Sequence, residues 1–144
     1  MVGRFSRTYI ASTCYPYVKG FREDYPVLRV KLYNVAMDEY GSLDIAIDTG
    51  FEGSILLPSN IYEFFMIGEL PRSMWRTYRT LTGFITMRIA RAIVEVNNVK
   101  IETFVETPLY GGEKTLIGRE LLNKLTLVLD GLKKELCIVE QSST

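Results

Sequence analysis

The chain has 144 residues, 47% of them apolar, and 17 basic residues balance 17 acidic ones. This is the size of one ordinary domain with one core, and zero formal net charge excludes a broad electrostatic pull toward nucleic acid or anionic membrane. Histidine is absent, which excludes Ser-His-Asp, Cys-His and HExxH chemistry within the chain. A zinc site would have only two Cys and carboxylates to draw on. A catalyst without a cofactor would therefore rest on Asp and Glu, with Lys or Tyr behind them.

In chain order, residues 1–22 show no clear period and read as an N-terminal arm. Its opening, MVGRFSRTYIASTCYPY, is basic, but Ser and Thr break the apolar run, so no signal peptide is expected. No apolar run reaches the roughly 18 residues of a bilayer span. PVLRVKLYNV, residues 26–35, alternates apolar and polar and predicts a strand. MDEYGS predicts a turn that ends at Gly41. LDIAIDTG, residues 43–50, predicts a second strand, with Leu43, Ile45 and Ile47 on one face and Asp44, Ala46 and Asp48 on the other.

SILLP continues as a strand to Pro58, and SNIYEFFMIG predicts a short helix capped by Ser59 or Asn60 and stopped at Gly68. Residues 75–96 predict two long strands around a turn at Leu81-Thr82-Gly83. Asn97-Asn98 predicts the next turn, with VKIETFVE as the following strand. PLYGGEK is a loop, and TLIGRELLNKL holds a strand end and a helix starting near Gly118. LTLVLD and LKKELCIVE predict a final hairpin around Asp130-Gly131, and QSST is a polar tail. Short strands with regular turns predict a mainly β domain, a sandwich or small barrel.

Asp48-Thr49-Gly50 interrupts an apolar run, IAIDTGFEGSILLP. An Asp turn with a following Gly is ordinary loop chemistry. Here, however, apolar residues flank it on both sides, which predicts an interior or interface position. A lone buried carboxylate is driven neutral. Two close carboxylates share a proton, so that one acts as base and the other as acid. Asp44 shares the strand face of Asp48, but four residues of strand separate them by roughly 13 Å. Asp130 is explained by its hairpin. The remaining source of a second carboxylate is a second copy of the chain around a twofold axis.

Three blocks carry a resemblance to the retropepsin-like aspartic proteases, the single-domain class that includes the retroviral enzymes. AIDTGFEGSILLP resembles the catalytic loop and following strand, and its continuation is most similar to prokaryotic members. TLTGFITMRIARAIVEVNNVKIETFVE is similar to the flap hairpin and the strands after it. TLIGRELLNKLTLVLDG is similar to the apolar-apolar-Gly-Arg-Asp/Asn-Leu-Leu helix signature. With PVLRVKLYN the resemblance spans about residues 26–140. Glu120 departs from the usual Asp or Asn, Phe51 from a small residue, and the flap carries a single glycine, Gly83.

The resemblance implies a mainly β fold: a closed small β-barrel of the acid-protease type with one or two short helices and a two-chain active site. It divides the chain into an arm (1–22), a protease domain (23–140) and a tail (141–144). It implies a homodimeric endopeptidase acting on peptide or unfolded protein, without metal or cofactor. Asp48 would share the catalytic proton with its copy, Thr49 would grip the partner loop, and Gly50 would let substrate backbone approach. Thr82, Gly83 and Phe84 would form the flap, and Arg119 would brace Glu52. The alternative is a dimerisation or peptide-binding module of the same fold with little or no hydrolysis.

The arginines around MWRTYR invite a nucleic-acid reading through stacked aromatics. Neutral total charge favours flap-strand positions instead, with Trp75 and Tyr78 in core or cleft. Met66, Met74 and Met87 read as core and cleft filling. Cys14 and Cys137 stand far apart in unlike contexts, which reads as no disulfide framework and fits a reducing cytoplasm.

Overall fold

A computed structural model describes residues 11–140; residues 1–10 of the arm and the QSST tail lie outside the described residues. The elements are β1 (Ala11–Pro16), β2 (Val27–Tyr33), β3 (Glu39–Ile47), β4 (Ile55–Leu56), α1 (Ser59–Tyr62), two 3-10 turns (Glu63–Gly68 and Arg72–Met74), β5 (Arg76–Thr80), β6 (Gly83–Val96), β7 (Val99–Pro108), β8 (Leu116–Ile117), α2 (Arg119–Leu122), β9 (Leu127–Asp130) and β10 (Glu135–Val139). The fold is mainly β, as the sequence predicts.

Seven strands lie in the order β2-β3-β8-β4-β7-β6-β5, and β2 also pairs β6, so the sheet curls back on itself. A smaller sheet has the order β1-β10-β9. β8 runs parallel to β3 and antiparallel to β4, which sets the two arms of the Asp48 turn on either side of it. Asn97 and Asn98 turn the β6–β7 hairpin with φ values of 50° and 67°, the left-handed conformation that such two-residue turns require.

One core fills the interior. Leu28, Leu32, Ile45, Ile55, Leu57, Phe65, Ile117, Leu121 and Leu136 are each at 0–1% exposure, and burial of each such side chain contributes about 1.5–3 kcal/mol. No described helix is long and apolar enough to cross a membrane.

Several local expectations change. β3 begins at Glu39 and ends at Ile47, so it absorbs most of the expected MDEYGS turn and stops before Asp48. The turn shrinks to residues 34–38, where the Asn34 side-chain oxygen accepts the main-chain N–H groups of Ala36 and Asp38. The helix after Pro58 is α-helical for four residues and then tightens to 3-10. Pro58, not Ser59 or Asn60, is its N-cap, and it makes no side-chain cap bond. Part of the arm is structured: β1 pairs antiparallel with β10.

That pairing corrects the cysteine reading. Cys14 stands directly across from Cys137, and the two form a disulfide that spans 123 residues of sequence. Sequence distance and local context hid a contact that strand pairing creates. With both cysteines in this bond, neither is a free thiol, and the cysteines do not point to a reducing compartment.

Candidate active site

The site is built where β3 ends. Asp48 donates its N–H to the Ile117 carbonyl at 2.8 Å, which carries the β3–β8 ladder one residue past the strand. The chain then turns: Phe51 N–H donates to the Asp48 carbonyl at 3.1 Å, and Gly50 N–H donates to Asp48 Oδ1 at 2.8 Å. These local bonds explain why Asp begins this turn. Asp48 is half-buried, while Thr49 and Gly50 are exposed.

The loop is fastened from behind by the start of α2. Gly118, Arg119 and Glu120 donate their N–H groups to the carbonyls of Ser54, Phe51 and Gly53, at 2.8, 2.8 and 3.1 Å. A side chain at 118 would collide with the Gly53 carbonyl and with Phe51; glycine here permits the backbone crossing. Arg119 Nη2 lies 3.3 Å from Glu52 Oε1, with side-chain exposures of 48% and 70%. An ion pair that exposed contributes under about 1 kcal/mol. The carbonyl bonds from the same helix start are the stronger fastening.

Opposite the loop stands the β5–β6 hairpin. Thr80 pairs with Gly83 across the Leu81-Thr82 turn, and Thr80 Oγ1 donates to the Gly83 carbonyl at 2.9 Å. Gly83 has φ +130°, which favours glycine, and the space around it is open. Leu81 is fully exposed, and Phe84 is 75% exposed.

Between loop and hairpin lies a cavity of about 690 Å³. Asp48, Gly50, Glu52 and Phe84 line it, so the structure brings these four expected residues together. Thr49, Thr82, Gly83 and Arg119 are not part of its lining. The apolar wall comes from Phe51, Leu56, Tyr78, Ile85 and Met87.

Beneath the loop lies a polar cluster. Glu106 on β7 is fully buried. Tyr78 donates its hydroxyl to Glu106 Oε1 at 2.7 Å. Arg76 holds Glu120 with two bonds, at 3.1 and 2.9 Å, and its Nη1 stands 3.6 Å from Glu106 Oε2. Burial pushes the Glu106 carboxyl above its ordinary range, against the opposing pull of Tyr78 and Arg76. Burial likewise pushes the Tyr78 hydroxyl up, so it stays a donor. Glu120, which departs from the Asp or Asn of the resemblance, has the reach to take Arg76 in this fork.

Three arginines of the MWRTYR region have partners within the chain: Arg76 holds Glu120, Arg88 holds Glu69, and Arg72 stands over the Trp75 ring. Arg88 pairs with Glu69 at 2.8 Å, and Trp75 Nε1 donates to the Leu70 carbonyl at 3.0 Å. Met87 is buried, but Met66 and Met74 are 43% and 56% exposed. The filling role expected of those two is corrected: they sit on 3-10 turns at the surface.

No protein-family model matches the chain. An uncharacterized protein of Archaeoglobus fulgidus is 32% identical over 111 residues, which cover 73% of this chain and 86% of that protein. The chain belongs to that protein's family. Among solved structures, a retropepsin-like aspartic protease from Rickettsia conorii aligns over 93% of this chain and 95% of its own, with TM-score 0.54 and 12% identity. The fold is retropepsin-like. The EIAV protease complexed with the inhibitor HBY-793 aligns over 74% of this chain and 93% of its own, with TM-score 0.48 and 18% identity.

In this retropepsin-like fold, the residues that sequence reasoning missed are Glu106 and the aromatic wall residue Phe51. Glu106 falls in VKIETFVETP, where Lys100, Glu102 and Glu106 share the polar phase of an alternating strand. That phase reads as solvent-facing. In the structure the alternation of burial ends there: Val105, Glu106 and Thr107 are buried in succession, as happens when both faces of a strand are covered.

Proposed function

We propose that the protein is a homodimeric aspartic endopeptidase, with residues 23–140 as its catalytic domain on a small closed barrel. The observation that carries this reading is the Asp48 carboxylate, oriented by the Gly50 N–H in a cleft faced by the β5–β6 hairpin. One chain supplies one such turn, and the exposed Thr49 and Gly50 leave it open to a copy of itself across a twofold axis. Asp48 of each chain would then share a proton. The ionised carboxylate takes a proton from water as the water attacks the scissile carbonyl, and the protonated one hydrogen-bonds the carbonyl oxygen.

Substrate binds as an extended strand between loop and hairpin, bonding through its backbone. The wall of Phe51, Tyr78, Phe84, Ile85 and Met87 favours apolar side chains beside the cut bond. Thr82, Gly83 and Phe84 act as the flap, closing over substrate to exclude water, and Thr49 grips its counterpart in the partner loop. Arg119 and Glu52 brace the loop from outside.

The test is cleavage of an unfolded protein from about pH 3 to 7 by the wild type and by Asp48→Asn, with a loss of about 10²-fold or more expected in the variant. Products are read by mass spectrometry, and the assembly state by sedimentation. Cuts beside apolar residues that vanish in a folded Asp48→Asn dimer support the reading. Unchanged cleavage by the variant overturns it, and activity from a strict monomer overturns the shared site. A folded dimer that binds peptides without cutting them identifies a binding module instead.

A further inference from the structure

The buried cluster beneath the loop meets both walls of the cleft. Tyr78 on β5 lines the cavity with Asp48 and Phe51, and its ring packs against Phe51 with centroids 5.6 Å apart. The Tyr78 hydroxyl ends on Glu106. Glu106 in turn fills the space where Gly53 has no side chain: a Cβ there would collide with Glu106 Oε2 and stand 2.9 Å from the Tyr78 hydroxyl. One carboxyl therefore touches the first strand of the hairpin and the floor of the catalytic turn.

We propose that Glu106 is a positioning residue that, through Tyr78, holds β5, the base of the hairpin, at a fixed distance from the Asp48 loop. The inference rests on the protease reading for its effect on catalysis, but its structural half is independent of that reading. A buried glutamate is costly in ordinary strand packing, and two contacts explain its presence. It accepts the hydroxyl of a cleft-wall residue, and it occupies a gap that glycine keeps open in the catalytic turn. Arg76 completes the strut by joining β5 to α2 through Glu120, and α2 is the helix whose first N–H groups fasten the loop.

The groups that face Glu106 are Tyr78 and Arg76 from β5, Glu120 from α2 and Tyr62 from α1. Among the described residues, Oε2 has no hydrogen bond of normal geometry; Arg76 Nη1 stands 3.6 Å from it, and the Ser54 main chain acts on the same carboxyl.

The experiment compares wild type with Glu106→Gln, Glu106→Ala, Tyr78→Phe and the Glu106→Ala/Tyr78→Phe double variant. Hydrogen exchange of the Arg76–Thr80 amides is measured beside thermal melting and, separately, kcat and KM for peptide cleavage. Glu106→Ala and Tyr78→Phe should each speed exchange in β5 by about tenfold, and the double variant should add little more, as expected for two ends of one contact. Glu106→Gln keeps an acceptor for Tyr78 and should restore protection.

Cleavage should follow the same pattern. Each single loss is expected to lower kcat/KM by about tenfold or more through misplacement of the cleft wall, chiefly in KM, with Glu106→Gln near wild type. Unaltered β5 exchange in a folded Glu106→Ala, or fully additive effects in the double variant, overturns the proposal. A wild type that cuts nothing defeats the protease reading, while the exchange data still decide the strut. Normal kcat/KM in a Glu106→Ala whose β5 has loosened overturns the catalytic half. Should Glu106→Ala fail to fold, Tyr78→Phe and Glu106→Gln decide by the same readouts.

Discussion

The Gly50 N–H points at Asp48 Oδ1 from 2.8 Å, so the catalytic candidate is held by the residue two places after it. A Cβ at 50 would lie 3.1 Å from that same oxygen. Gly50→Ala therefore moves the carboxylate by tenths of an ångström. Cleavage should fall by about tenfold to hundredfold while stability changes by less than about 1 kcal/mol. Kinetics beside urea unfolding checks both, and an unaltered rate would show that this hydrogen bond does not set the carboxylate.

Gly118 carries a different burden. Its neighbours are the Gly53 carbonyl and the carbonyl and ring of Phe51, and backbone cannot move aside as a side-chain tip can. Gly118→Ala should cost about 2–4 kcal/mol through overpacking and lost loop bonds. Arg119→Ala, one residue on, removes only the exposed pair with Glu52 and should cost under about 1 kcal/mol. Denaturant midpoints of the two variants order them, and a reversed order would make the ion pair the principal brace.

Glu106 gives stability a pH dependence of definite sign. Burial raises its pKa in the folded state, so the folded chain holds a proton that the unfolded chain has released. The contribution of Glu106 to stability is then greatest below the ordinary Glu value of about 4.3 and falls as pH rises from there through the raised value. Glu106→Gln cannot ionise and should lack this decline, so its stability relative to wild type increases with pH across that window. Urea midpoints measured stepwise across the window check it. Parallel curves for the two proteins would mean that Arg76 and Tyr78 compensate burial completely.

The Cys14–Cys137 bond ties β1 to β10. Reduction, or Cys14→Ser with Cys137→Ser, should lower stability by about 2–4 kcal/mol, mainly by releasing the unfolded chain. The main sheet carries the cleft and does not include β1, so Asp48 chemistry should persist in the reduced protein under conditions where it stays folded. Thiol titration of the unfolded protein beside melting tests this, and equal stability in both redox states would remove the bond from the stability account.

What the sequence alone determined is what local chemistry encodes. Alternation along PVLRVKLYNV placed β2, the paired Asn97 and Asn98 placed a tight turn, and Asp48-Thr49-Gly50 between apolar runs marked a turn in an unusual place. Each signal arises from residues within a few positions of each other, where side-chain period and backbone preference act directly. The tertiary structure alone decided which distant strands meet. It set Cys14 against Cys137 and brought α2 behind the Asp48 loop. It also buried Glu106 on the face of β7 that its alternation assigned to solvent. These contacts join residues tens of positions apart, and strand pairing across the sheet, rather than any local pattern, determines them.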